Sequence, residues 1–270
     1  INSGYVWPKK GEKKPNKTIT VSILKPITSG LTINGGSDVE FSTLLTNEAL
    51  GNISITNQNL TVDSGSISVD DANLLSATTT GTVTASITTT ESITELKTLT
   101  ETSNAYTIVI SSADATATAE DLSAIDGKTT AMVDASAVTA ISGTYDQITT
   151  LYDLNGVTGL GNESINLNEN LTVTQANVID GLTRGAITAT IGNSRVSELV
   201  GGTPLLNANN NNAYTIVINS RDADAKQSTA AEFNTINSAT TVAIDASNVV
   251  EIASSNLSDV KTLLLSLIHI

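Results

Sequence analysis

Three acids raise the question of chemistry first. Asp114, Asp222 and Asp224 follow two copies of the run Tyr-Thr-Ile-Val-Ile, in segments that read as loops after strands. Loop carboxylates and carbonyls are the oxygen donors that Ca2+ takes. Structural calcium is therefore the one cofactor these positions suggest. They form no EF-hand loop, and the chain has no Gly-Gly-x-Gly-x-Asp nonapeptides. Solvated loop acids are the stronger reading.

Other carboxylates stand in pairs, Asp70/Asp71 and Glu120/Asp121. A glycosidase sets two carboxyls across a cleft and usually lines it with aromatic platforms, but aromatics make up only 3% of this chain. Both pairs fall in the first turns of expected helices, where acids complement the dipole. Asp134 and Asp245 occupy equivalent strand positions, each followed by Ala-Ser, and are expected to bond backbone in the next turn. The single histidine is His269 and there is no cysteine. A lone histidine in the tail argues strongly against a Ser-His-Asp triad or an imidazole metal site, and without cysteine there are no thiolate sites or disulfides. The expectation is a protein that is not an enzyme.

The elements that would position these residues repeat. Asn104-Ala-Tyr-Thr-Ile-Val-Ile-Ser-Ser-Ala-Asp-Ala recurs 108 residues on as Asn212-Ala-Tyr-Thr-Ile-Val-Ile-Asn-Ser-Arg-Asp-Ala. Gly81-Thr-Val-Thr-Ala-Ser-Ile recurs as Gly185-Ala-Ile-Thr-Ala-Thr-Ile, and Val133-Asp-Ala-Ser as Ile244-Asp-Ala-Ser. Residues 59–163 thus form a first long repeat. Residues 164–270 form a second, truncated, whose tail from Leu264 no longer matches and is expected to be foreign to the natural protein. Residues 18–58 read as a lead-in β/α element, with a strand over Thr18–Leu24 and a capping box at Ser37–Glu40. Residues 1–17 read as a basic linker.

Within the long repeats, short β-type runs alternate with short helical ones. Strands are expected at Val83–Ile87, Tyr106–Ile110, Ala131–Ala135, Ile165–Leu167, Ile187–Ile191, Tyr214–Ile218 and Val242–Ala246. Helices are expected at Thr118–Gly127, Thr144–Gly156 and Thr174–Gly185, with apolar residues three or four apart. Strand then helix, repeated, implies parallel strands with right-handed crossovers. At this spacing the fold class is α/β, a β/α solenoid with a parallel sheet along one side. Period-two alternation turns Thr84, Ser86, Thr107, Val109, Thr188, Thr190, Thr215 and Val217 away from the helices. They are the candidate contact face, rich in threonine and open to solvent.

Charge limits the partners. The net charge is −14, while the cluster Lys9, Lys10, Lys13, Lys14 and Lys17, opposed by Glu12, carries +4. The remainder therefore carries −18. A body this acidic repels nucleic acid and anionic membranes, and no apolar run reaches membrane-spanning length. The expected partner is an unknown surface or glycan ligand, or neighbouring repeats only. A flat threonine array also suits ice or another ordered surface, although Val109 and Asp134 interrupt a Thr-x-Thr ladder. A carbohydrate-active enzyme fragment is the remaining alternative.

The runs Val173-Thr-Gln-Ala-Asn-Val-Ile, Asn104-Ala-Tyr-Thr-Ile-Val-Ile, Ala137-Val-Thr-Ala-Ile-Ser-Gly-Thr and Gly156-Val-Thr-Gly-Leu-Gly resemble repeats of very large secreted or cell-surface proteins of cyanobacteria and other marine bacteria. The resemblance covers roughly Asn59 to Leu263. It implies an adhesin-like or surface-layer-associated protein, secreted or held at the cell surface and commonly exported in one step. It supplies no catalytic residues to carry over. The calcium nonapeptides and C-terminal secretion region that such proteins can carry are not in this sequence.

Overall fold

A computed structural model describes residues 31–33, 44, 46–51, 54–202, 205, 211–219 and 228–266. The expected elements at Thr18–Leu24 and Ser37–Glu40, the Lys9–Lys17 cluster and His269 lie outside these residues.

The fold is α/β, with two sheets in which every strand pairing among the described residues is parallel. The first sheet runs β1 (Leu31–Ile33), β2 (Leu60–Val62), β3 (Val83–Ser86), β4 (Ala105–Val109), β6 (Val133–Asp134), β8 (Val157–Thr158). The second runs β11 (Ala213–Ile218), β10 (Ile187–Ser194), β9 (Ser164–Leu171), β7 (Ala140–Gly143), β5 (Thr116–Thr118). From Leu60 onward, strand partners stand 20 to 25 apart in sequence: Thr84 faces Ala105, and Ile108 faces Val133. Eight α-helices have bounds within the described residues: α1 (Val69–Thr78), α2 (Ile93–Leu96), α3 (Ala119–Asp126), α4 (Tyr145–Asp153), α5 (Val173–Asp180), α6 (Val196–Val200), α7 (Ala230–Ser238) and α8 (Leu257–Leu264). Helices consecutive in the chain pack against each other from α2 to α5 and from α6 to α8.

One sheet was expected, and there are two. The second arises because β5, β7 and β9 precede α3, α4 and α5 directly. Their sequences, such as Thr116-Ala-Thr118 and Ala140-Ile-Ser-Gly143, are too short and too small-sided to announce strands on periodicity alone. They hold because each finds a parallel partner 24 residues away. The second sheet also joins the two sequence repeats. β9 pairs with β7 on one side and with β10 on the other, so the closing strands of the first repeat and the opening strands of the second share one sheet.

The core is aliphatic and thin, as the composition required. Val83, Ala85, Ile87, Tyr106, Ile108, Ile110, Ile187, Ala189 and Ile191 are all buried, on the faces the alternation assigned. Leu122 and Ile125 of α3, with Phe233 and Ile236 of α7, meet them from the helices. Threonine caps α3, α4, α5 and α7 through Thr118, Thr144, Thr172 and Thr229, each side chain accepting a first-turn amide. At α5 the cap is Thr172, two residues before the expected start, with Gln175 completing a capping box.

Threonine also ties one strand–helix segment to the next. Thr129 Oγ1 accepts Tyr106 N at 2.8 Å and Ala131 N at 3.1 Å, and donates to Tyr106 O at 2.8 Å. Thr79, Thr183 and Thr240 donate likewise to Gln58 O, Glu163 O and Tyr214 O. Asparagine supplies a second tie. Asn104 Oδ1 accepts Val83 N at 2.8 Å, and Asn212 Oδ1 accepts Ile187 N at 2.9 Å. These side chains pair buried backbone that would otherwise be orphaned, which is the physical reason so much Thr and Asn sits between the strands.

Candidate functional site

The candidate contact face divides between the two sheets. Thr84 and Ser86 on β3, and Thr107 and Val109 on β4, belong to the first. Thr188 and Thr190 on β10, and Thr215 and Val217 on β11, belong to the second. Thr84, Ser86, Thr107, Thr188 and Thr215 are exposed, while Val109, Thr190 and Val217 are half-buried. The alternation therefore gave the right faces, but the eight residues do not make one surface within a single sheet.

Strand register arranges them in short rows. In the first sheet Thr61 pairs with Thr84, Ser86 with Thr107, and Val109 with Asp134, which pairs in turn with Thr158. In the second sheet one row runs Thr118, Ser142, Asn166, Thr188, Ala213 across five strands. Neighbouring strands lie roughly 4.8 Å apart, so this row presents a hydroxyl, hydroxyl, amide, hydroxyl series ending on a methyl. Ser142 and Asn166 were missed because β7 and the register of β9 were not legible. Thr118 spends its hydroxyl on the α3 cap.

Asp114 sits in a 3-10 turn, Ser112–Asp114, after β4. Its Oδ2 accepts the backbone N–H of Ile93, the first residue of α2, at 3.0 Å. The same device recurs along the chain. Glu91 accepts Val69 N of α1 at 3.1 Å, Glu169 accepts Tyr145 N of α4, and Ser255 Oγ accepts Ala230 N of α7 at 2.9 Å. In each case the acceptor comes from the segment 21 to 25 residues further on. A bulge in β9 carries Glu169: Thr188 pairs with Asn166 but Thr190 with Asn170, so β9 holds two extra residues there. Asp222 and Asp224 lie outside the described residues. Among the described residues no group of three or more His, Cys, Asp or Glu side chains is placed to hold a metal ion.

The remaining acids have structural surroundings. Asp70/Asp71 and Glu120/Asp121 occupy the first turns of α1 and α3. Asp134 Oδ1 accepts Ser136 N at 2.9 Å and Asp245 Oδ1 accepts Ser247 N at 3.0 Å. That backbone bond, with the Ser136 hydroxyl, holds the Asp134 carboxyl below its ordinary range. Asp180, only 5% exposed, accepts from Asn212 Nδ2 at 2.5 Å, and Asn212 Nδ2 also reaches the Tyr214 hydroxyl at 3.2 Å. The first repeat builds the same node with Ser76 in place of the acid: Asn104 Nδ2 donates to Ser76 Oγ and to the Tyr106 hydroxyl. A neutral counterpart at the same position marks Asp180 as part of the packing rather than of a reaction centre.

A cleft of about 740 Å³ lies between the end of β9, Gly192 and α6, lined by Thr172, Ser197, Glu198 and Gly201 among others. None of the candidate metal-ligating or contact-face residues within the described residues lines it. No family model matches the chain, and neither curated proteins nor solved structures offer a significant match. Among the described residues, no helix is long and apolar enough to cross a membrane.

Proposed function

We propose that this chain is a non-catalytic structural or adhesive repeat segment of a secreted or cell-surface bacterial protein, folded as a β/α solenoid. One observation carries the reading: polar side chains are spent on tying each strand–helix segment to the next. The Thr129-type and Asn104-type ties and the Glu91-type caps all act at separations of 20 to 26 residues. Neighbour-only ties of this kind suit a fold whose stability accumulates unit by unit. The threonine-bearing rows of the two sheets are the surfaces such a segment offers to a glycan or to another surface.

The test is shape together with activity. Small-angle scattering from an elongated particle, with no turnover on a panel of glycans, supports the reading. Glycan hydrolysis would replace it with the carbohydrate-active alternative. Freezing-point hysteresis would favour an ice-binding surface on the Thr118–Thr188 row. Loss of melting temperature on chelation would add structural Ca2+.

A further inference from the structure

The second repeat ends on a surface that the first repeat covers. Residues 249–263 stand where residues 138–151 stand one repeat earlier. Ala253 N donates to Ser228 O at 2.9 Å, the place that Ser142 takes against β5 through its pairing with Thr118. Asn256 caps α8 as Thr144 caps α4. In the first repeat this edge is closed: β9 pairs with β7, α5 packs on α4, and Glu169 takes the first amide of α4. There Ile141 and Ile148 are 0% exposed.

In the second repeat the counterparts stand open. Ile252 and Val260 are only half-buried, and Leu257, at the position of the half-buried Tyr145, is 84% exposed. Leu263 stays buried at 3% like its counterpart Leu151. Leu264, whose counterpart Tyr152 is half-buried, is likewise 75% exposed. An apolar row left open on a helix anchored to the core through Leu263 marks an unfilled contact.

Resting on the repeat-segment reading above, we infer that the edge formed by Ile252–Ser254 and α8 is a docking site for a further strand–helix segment of the pattern Ser164–Asp180. The occupant is defined by what fills the equivalent place: a parallel strand with apolar residues at alternate positions, a bulge carrying an acid to the first amide of the helix, then a Thr-capped amphipathic helix. It adds a strand beside Ile252–Ser254, whose other neighbour is the Ser228 segment, and lays its helix on Leu257 and Val260. The two-sheet offset seen at β9 then recurs at every junction, so each unit's closing sheet is the next unit's opening sheet.

The test is an extended chain in which residues 153–264 are repeated directly after Leu264, followed by hydrogen exchange and mass spectrometry. Amides of residues 250–264 are expected to exchange about tenfold or more slowly than in the parent chain. An appended unit that is itself protected, with exchange at 250–264 unchanged, overturns the inference while leaving the scattering test of the repeat reading intact. Protection of 250–264 that rises with concentration of the parent chain also overturns it, because a second copy then fills the edge.

Discussion

Asp114 and Ile93 are 21 residues apart in sequence, and the carboxylate of one accepts the backbone N–H of the other at 3.0 Å. One of the three acids read as candidate calcium ligands caps a neighbouring helix. Replacing it is expected to behave as loss of a cap. Asp114→Ala should cost about 1 kcal/mol, and Asp114→Asn, which keeps an acceptor oxygen, less. Urea unfolding in calcium and in excess chelator checks this, with the same difference expected in both. A calcium-dependent melt of the parent chain that disappears in Asp114→Ala would instead make the carboxylate an ion ligand.

The sequence was most informative where period and cap coincide. Tyr106, Ile108 and Ile110 alternate with Thr107 and Val109 and resolve to a buried and an open side. Thr118, Leu122 and Ile125 define α3 to the residue. It was least informative at β5 and β7, whose three- and four-residue strands depend on partners 24 residues away rather than on propensity. The division of the contact face followed from that omission. Caps such as Glu91 and Glu169 were hidden for a similar reason: their partners are one segment away, and no local pattern marks them.

Two buried phenols set the alkaline limit. Tyr214 is 0% exposed, and its hydroxyl is pushed above the ordinary range first by burial and then by the charge of Asp180. Tyr106 is raised by burial, opposed by its bonds to Ser76 and Asn104. A raised folded-state value means that the stabilisation is complete below the ordinary phenol value of 10.0 and is lost as pH rises above it. Stability should therefore be level up to that range, then fall by about 1.4 kcal/mol per pH unit for each phenol. Denaturant titrations against pH on the double variant Tyr106→Phe/Tyr214→Phe should show a flatter fall from a lower plateau.

Lys97 of the α2 C-cap reaches Asp121 of α3 at 2.5 Å, joining consecutive helices. The Lys97 bond is the main cause that lowers the Asp121 carboxyl, against partial burial. A depressed carboxyl stabilises the fold above its ordinary value of 3.8 and loses that contribution as pH falls through the lowered one. The side chains are 39% and 25% exposed, so solvent and salt screen the pair and it is worth under about 1 kcal/mol. Asp121→Asn should lower the chemical-unfolding midpoint slightly at neutral pH, less at high salt, and not at all once the pH is well below the aspartate range.

Gly185 tests how closely successive segments approach. A Cβ there would lie 2.1 Å from Glu163 O and 2.4 Å from Glu163 C, and one at Gly81 would lie 2.3 Å from Gln58 O. Both oxygens accept a threonine hydroxyl from the residue two before the glycine, Thr183 and Thr79. The obstacle is backbone on both sides, so the chains must separate and the threonine tie must lengthen. Gly185→Ala is expected to cost roughly 1–3 kcal/mol by overpacking. Gly192, in the same strand region, has its nearest neighbours at 3.7 Å. There an added methyl meets ordinary contact and narrows the unfolded ensemble, so Gly192→Ala should be neutral or stabilising by up to about 1 kcal/mol. Opposite signs for the two variants in one unfolding experiment would tie stability to the Thr183–Glu163 approach. Equal effects would mean that the segments are less closely held than the 2.6 Å bond between Thr183 and Glu163 O requires.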